Sequence, residues 1–218
     1  MRWQRKLQDD LSCVDRLVRR DSRGSRVSLS ALEVMVLSLE DRRYFRHFGV
    51  DPWSVAREVM KLIRGKKYGG ASTIDMQFVR TATGYRAHTL KRKLYESLLA
   101  TMIQFRYHKI EILESYLACA YFGFRLRGAE TTARKLFGKS ANQLALNEAA
   151  LISAMLVYPR PSGASVEWQR RVETRAAYAM EVYMSGKLHL PGQMRSALPV
   201  SAPVQRWERP KIEFPEIV

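Results

Sequence analysis

Cysteine is nearly absent from this sequence: Cys13 and Cys119 are the only two in 218 residues. Two isolated cysteines at that separation match no zinc or redox pattern, so the expectation is two buried thiols. His47 has no His or Cys neighbour at ligand spacing, so it reads as structural rather than as a metal ligand. Long apolar runs are also missing. None reaches the roughly 18 to 20 uncharged residues that span a bilayer. The best candidates, 115–124 and 149–158, have the length of core helices. The start is basic, with Arg2, Arg5 and Lys6, but Asp9 and Asp10 interrupt where a signal sequence would turn apolar. Neither an export signal nor an anchor is read there. There is no internal repeat and no strand-rich stretch.

What is abundant is positive charge. The formal net charge is +16, and 46% of residues are hydrophobic, within the globular range. Such a balance favours anionic partners: nucleic acid, an anionic membrane surface or a phosphate-bearing substrate. No zinc-finger or RNA-recognition signature accompanies it, so nucleic acid is not expected. Residues 16–26 carry five arginines and read as a solvated basic arm. The chain divides into a basic N-terminal segment (1–28), a helical domain (29–188) and a proline-rich tail (189–218) expected to be extended.

Within the domain, patterning predicts helices throughout. Ser30 and Glu33 have capping-box form, followed by Leu32, Met35, Val36 and Leu39 at helical spacing. That helix delivers Glu40 and Asp41 near its end. Pro52 suits the first turn of a helix over 52–64. Residues 65–70 read as a basic, glycine-bearing loop. Ser72 and Asp75 again suggest a capping box opening a short helix. A helix over 89–107 follows, with Leu90, Leu94, Leu98, Met102 and Phe105 as its apolar positions. Further helices are expected over 109–121, 128–137, 142–157 and 167–184, with Pro159 and Pro161 ending the penultimate one.

Several of these residues can carry chemistry. Glu40 sits on the margin of an apolar helix face, where a carboxylate partly shielded from water is a stronger base. A charged helix terminus formed by Glu40, Asp41, Arg42 and Arg43 is the plainer alternative. Glu96 lies four residues after Arg92, the spacing of an ordinary surface ion pair. Two carboxylates on separate helices can also serve glycosyl transfer. One takes the acceptor proton, and the other holds a divalent metal or a basic network at the leaving group. Gly69, Gly70, Ala71, Ser72 and Thr73 run into a helix N-terminus, whose free N–H groups favour an anion such as pyrophosphate. Arg80, Arg86, His88, Lys91 and Arg92 add the cations a departing pyrophosphate needs.

Five motifs occur in order. The first is Glu40 and Asp41 with Phe45, His47, Gly49 and Asp51, and the second runs over 69–77. The third is Arg92 and Lys93 with Glu96. The fourth holds Lys109, Ile112, Leu113, Glu114, Tyr116 and Leu117, then Tyr121, Phe122 and Gly123. The fifth holds Gly128, Ala129, Glu130 and Ala133, then Phe137, Gly138 and Lys139, and finally Glu148 to Leu151. Together, over residues 29–162, the chain resembles the peptidoglycan glycosyltransferases (family 51), found alone or fused to penicillin-binding transpeptidases. The resemblance implies a mostly α, lysozyme-like, multi-helix single domain that polymerises lipid II into β-1,4 glycan strands, releasing undecaprenyl pyrophosphate. It implies Glu40 as catalytic base, Asp41 as its support and Glu96 as the second carboxylate and metal ligand. It places Ser72, Thr73, Gln77, Arg80, Arg86 and Arg92 at the donor pyrophosphate, with Mg²⁺ or Mn²⁺ as cofactor. The expected location is the outer face of the bacterial cytoplasmic membrane, reached peripherally or through a cell-wall protein partner.

The chain departs from the family pattern at Asp75, where Thr or Ser is usual, and at Arg80, where Lys is usual. Thr81, His88 and Ala118 are further departures. A capping role accounts for Asp75, and Arg80 keeps the charge with a different geometry. A transpeptidase module is not expected in the remaining residues. The alternative is a non-catalytic scaffold of the same fold that binds a lipid-linked glycan or a cell-wall synthesis complex.

Overall fold

A computed structural model of the chain describes residues 2–22, 24, 26, 28–65, 72–85, 89–196 and 198. The glycines at 69 and 70, Arg86, His88 and most of the proline-rich tail lie outside these residues. Regular structure among the described residues is ten α-helices, two short 3₁₀ turns and one two-stranded hairpin, in keeping with the mostly α expectation. The chain gathers into two compact units, Met1–Arg26 with Arg43–Tyr116, and Val27–Arg42 with Leu117–Val218.

The first unit contains α1 (Arg2–Asp21), α3 (Pro52–Ile63), α4 (Ile74–Thr83), α5 (Leu90–Gln104) and the first turns of α6 (Lys109–Cys119). Over residues 2–21 the basic N-terminal segment is a helix rather than a solvated arm. Leu11, Val14 and Val18 bury one face of α1, and the Cys13 thiol donates to Ala82 O on α4. Two aspartates fasten it. Asp10 accepts hydroxyl bonds from Tyr85 and Tyr95, each 2.7 Å. Asp15 accepts from Tyr107 at 2.8 Å and Arg106 at 2.8 Å. Sequence patterning misses α1 because its charges outnumber its apolar positions, and three inward residues carry the packing.

Asp51 opens α3. Its carboxylate accepts from the Trp53 amide and the Ser54 hydroxyl and lies 3.4 Å from Arg43. Burial alone would raise its pKa. The Ser54 hydroxyl, Arg43 and the Trp53 amide outweigh that and hold it below the usual carboxylate range. Gly49, just before, has φ +78, and a Cβ there would sit 2.5 Å from the carbonyl oxygen of Ala100 on α5. Only glycine allows that approach. The Thr73 hydroxyl then donates to Gly49 O at 2.6 Å.

Most of the apolar stripe read along 89–107 faces outward on α5. Leu90, Leu94, Leu98 and Phe105 are exposed, while Glu96, Leu99, Ala100 and Ile103 face the core. The two stripes share the helical period, and spacing alone cannot tell which one points inward.

The second unit contains α2 (Ala31–Glu40), the hairpin β1 (Tyr121–Gly123) and β2 (Leu126–Arg127), α7 (Ala129–Phe137), α8 (Leu146–Ala154), α9 (Val166–Met184) and α10 (Gly192–Ser196). Ser30 and Glu33 form the expected capping box. Residues 31–38 of α2 are all buried, packed on α8 and α9. Gly123 (φ +139) and Gly128 (φ +83) lie where a Cβ would meet the backbone of Arg160 at 2.3 Å and of Ala118 at 2.6 Å. The helix expected over 142–157 is α8 alone, preceded by a 3₁₀ turn at Ala141–Gln143. The hairpin is an element the sequence reading lacks. Its antiparallel pair is only a few residues long, too short for strand periodicity to register.

Candidate active site

The candidate residues fall into one cluster in each unit. In the first unit, α4 delivers Gln77 and Arg80, and α5 delivers Arg92 and Glu96. The Glu96 side chain is 1% accessible, with Arg92 Nε at 3.2 Å and Arg80 Nε at 3.9 Å from its Oε1. These are ion-pair contacts without hydrogen-bond alignment, because neither Glu96 oxygen has a hydrogen-bond partner among the described residues. Burial pushes the Glu96 carboxyl above the usual range, and Arg80, Arg92 and Lys93 pull it partly back. Arg80 keeps a third of its side chain exposed. The cluster is thus a buried anion beneath a cationic surface, suited to meeting an external phosphate.

Thr73 lies elsewhere in this economy. It caps α4, accepting from the Met76 amide, and donates to Gly49 O, so its hydroxyl works within the fold. Ser72 is half-buried just before the helix. Gln77 Oε1 accepts the Tyr116 hydroxyl at 2.7 Å.

The Ser72–Asp75 capping box that the sequence suggests is replaced by a cap one residue on, with Thr73 in place of Ser72. Asp75 is fully buried, its Oδ2 receiving Lys109 Nζ at 2.7 Å and its Oδ1 the Gln104 amide at 2.6 Å. Lys109 also lies 3.4 Å from His47 Nδ1 and 4.2 Å above the Tyr44 ring. His47 is buried. Capping boxes and buried ion pairs both place an acid near a helix start, and the partner 34 residues away leaves no local trace.

In the second unit, Glu40 ends α2 and Asp41 is its C-cap, buried, with its N–H on Leu37 O at 3.1 Å. The Glu40 side chain is 13% accessible and accepts from Arg175 Nη2 of α9 at 3.0 Å. Arg175 is the residue that sequence reasoning misses. It stands 135 positions from Glu40 on a helix rich in other arginines.

Other motif carboxylates have structural partners. Glu114 binds Arg26, and Glu148 binds Lys139 and the Ala145 amide. Glu130 accepts from the Ala141 amide and Ser140 hydroxyl; the Ala141 bond above all, with Ser140 and Arg134, holds its pKa low against desolvation.

Among the described residues no group of three or more His, Cys, Asp or Glu could hold a metal. Glu96 offers one carboxylate. Mg²⁺ is commonly held by one or two carboxylates together with substrate phosphates, so Glu96 fits such an ion only in a shared site. No described helix is long and apolar enough to cross a membrane.

A transglycosylase family model matches residues 17–183. A biosynthetic peptidoglycan transglycosylase of Shewanella denitrificans is 36% identical over 131 residues, 60% of this chain and 57% of that protein. Penicillin-binding protein 1A of Aquifex aeolicus is 38% identical over 120 residues, 55% of this chain and 16% of that one. Penicillin-binding protein 1A of Escherichia coli is 37% identical over 140 residues, 64% of this chain and 16% of that one. The chain therefore matches only part of these relatives' length.

Proposed function

The chain belongs to the transglycosylase family, and we propose that it polymerises lipid II into β-1,4 glycan strands with release of undecaprenyl pyrophosphate. The observation that carries this reading is the buried Glu96 with Arg80 and Arg92 against it. Glu40 takes the proton from the 4-hydroxyl of the acceptor sugar. That oxygen forms a bond to the donor anomeric carbon from the face opposite the leaving group. The bond from the anomeric carbon to phosphate breaks, and its electron pair leaves with the pyrophosphate. Arg80 and Arg92 meet the charge that develops there, and Glu96 holds their guanidinium groups in register. Asp41 supports the turn that presents Glu40. Ser72, Gln77 and Arg86 complete the donor side, with Thr73 fixing the start of α4. Glu96 would be the residue to hold Mg²⁺ or Mn²⁺, and such an ion would supply further positive charge for the leaving pyrophosphate.

The same reading brings the protein to the outer face of the cytoplasmic membrane peripherally. Exposed Trp53, Val59, Met60 and Ile63 on α3 and Leu90, Leu94 and Leu98 on α5 support this. Val55, Val59, Leu90 and Leu94 also line one cavity of roughly 140 Å³, so the two helices share an apolar face. Apolar side chains of this kind, on a strongly basic protein, suit an anionic bilayer surface. A protein partner in cell-wall synthesis is the other route to the membrane.

The test is incubation of labelled lipid II with the protein in detergent and Mg²⁺ or Mn²⁺. Polymer that a muramidase digests is the expected product. A folded protein that binds lipid II and leaves it unconverted would contradict the reading and favour the scaffold.

A further inference from the structure

Resting on the assignment of Glu40 as base, we propose that Arg175 is a positioning residue that fixes the Glu40 carboxylate, and that α9 holds the Glu40–Asp41 corner from both sides. Glu40 is the last residue of α2, where a long side chain ordinarily samples several rotamers. A base has to stand within hydrogen-bond reach of the proton it removes, and a misplacement of about 1 Å can cost about a hundredfold in rate.

Arg175 Nη2 reaches Glu40 Oε1 at 3.0 Å, with the two side chains 26% and 13% accessible. Three residues on, α9 presents Tyr178. Its hydroxyl accepts from Arg42 Nη2, and its ring lies 5.3 Å from the Arg42 guanidinium carbon. Beyond α9 the His189 amide donates to Arg42 O at 3.0 Å. Arg42 also donates from Nε to Ser38 O at 3.2 Å. Residues on either side of Asp41 are therefore gripped by the same helix and its continuation. That helix packs along α2 and α8, whose inner faces are fully buried, so the arginine is set on a rigid support. Arg175 lies beyond the stretch that carries the five motifs.

The experiment compares wild type, Arg175→Ala, Arg175→Lys, Glu40→Gln and the Glu40→Gln/Arg175→Ala double variant. Each is assayed as the full chain on labelled lipid II, with thermal melts as the folding control. Arg175→Ala is expected to lower kcat by about ten- to a hundredfold with KM changed by less than about threefold. Added guanidinium should recover part of the loss, and Arg175→Lys should be intermediate. In the Glu40→Gln background the Arg175→Ala change should cost nothing further, because the two groups act as one unit. If Arg175→Ala melts early, Arg175→Lys decides: reduced kcat at an unchanged melting point supports the proposal, and unchanged kcat overturns it. A loss confined to KM, or an additive loss in the double variant, also overturns it by placing Arg175 on the substrate instead of on Glu40. Absence of polymer from folded wild type removes the functional reading itself. Wild-type polymer with undiminished Arg175 variants removes only this inference.

Discussion

Arg92 and Glu96 stand one turn apart on α5, with Nε 3.2 Å from a carboxylate that is 1% accessible. Burial raises the Glu96 pKa, and Arg80, Arg92 and Lys93 oppose the rise. Arg92→Gln removes one of the groups that favour the ionised form, so the pKa climbs further. The ionised fraction at any mildly acidic pH then falls. The acid limb of the polymerisation rate, followed over about pH 5 to 8, should move to higher pH in the variant. A limb at the wild-type position would show that Glu96 ionisation does not govern the rate.

Asp75 and Lys109 make a second buried ion pair in the first unit. Removing one partner leaves the other charge inside: Lys109 is only 14% accessible. Asp75→Ala is expected to lower unfolding stability by about 3 kcal/mol, and Asp75→Ala/Lys109→Met by less than Asp75→Ala alone. Urea unfolding measures both. A double variant no better than Asp75→Ala would place the cost in lost packing rather than in the stranded charge.

The outward stripes of α3 and α5 carry the membrane reading. Flotation with anionic vesicles at low salt should recover the wild-type protein. Ile63→Glu/Leu94→Glu should bind about tenfold more weakly or worse, since each change sets a charge where an apolar side chain would be buried. Equal flotation would move the contact to another surface or to charge alone.

Local rules made much of this protein legible. The Ser30–Glu33 capping box, the end of α7 at Phe137 and the proline at the start of α3 depend on neighbours a few residues away, and each stands where the sequence reading puts it. The glycines of the ordered motifs were legible only as a pattern. Gly49, Gly123 and Gly128 are explained by backbone approaching from Ala100, Arg160 and Ala118, and no one-dimensional rule states those distances. The same limit hid Asp75 with Lys109 and Glu40 with Arg175, where the partner comes from a distant helix. The direction of α5 was not legible because a period identifies a stripe without saying which stripe meets the core. α1 was passed over because arginines outnumber its inward leucines and valines, although Asp10 and Asp15 tie it down through tyrosines far along the chain.

The central claim is that Glu40 and Glu96 carry glycosyl transfer. Its most direct test is the rate of labelled lipid II polymerisation by wild type, Glu40→Gln and Glu96→Gln, with melting points confirming that all three fold. The account expects polymer from wild type and a loss of about a hundredfold or more in each variant. Polymerisation by Glu40→Gln or Glu96→Gln at the wild-type rate would contradict it.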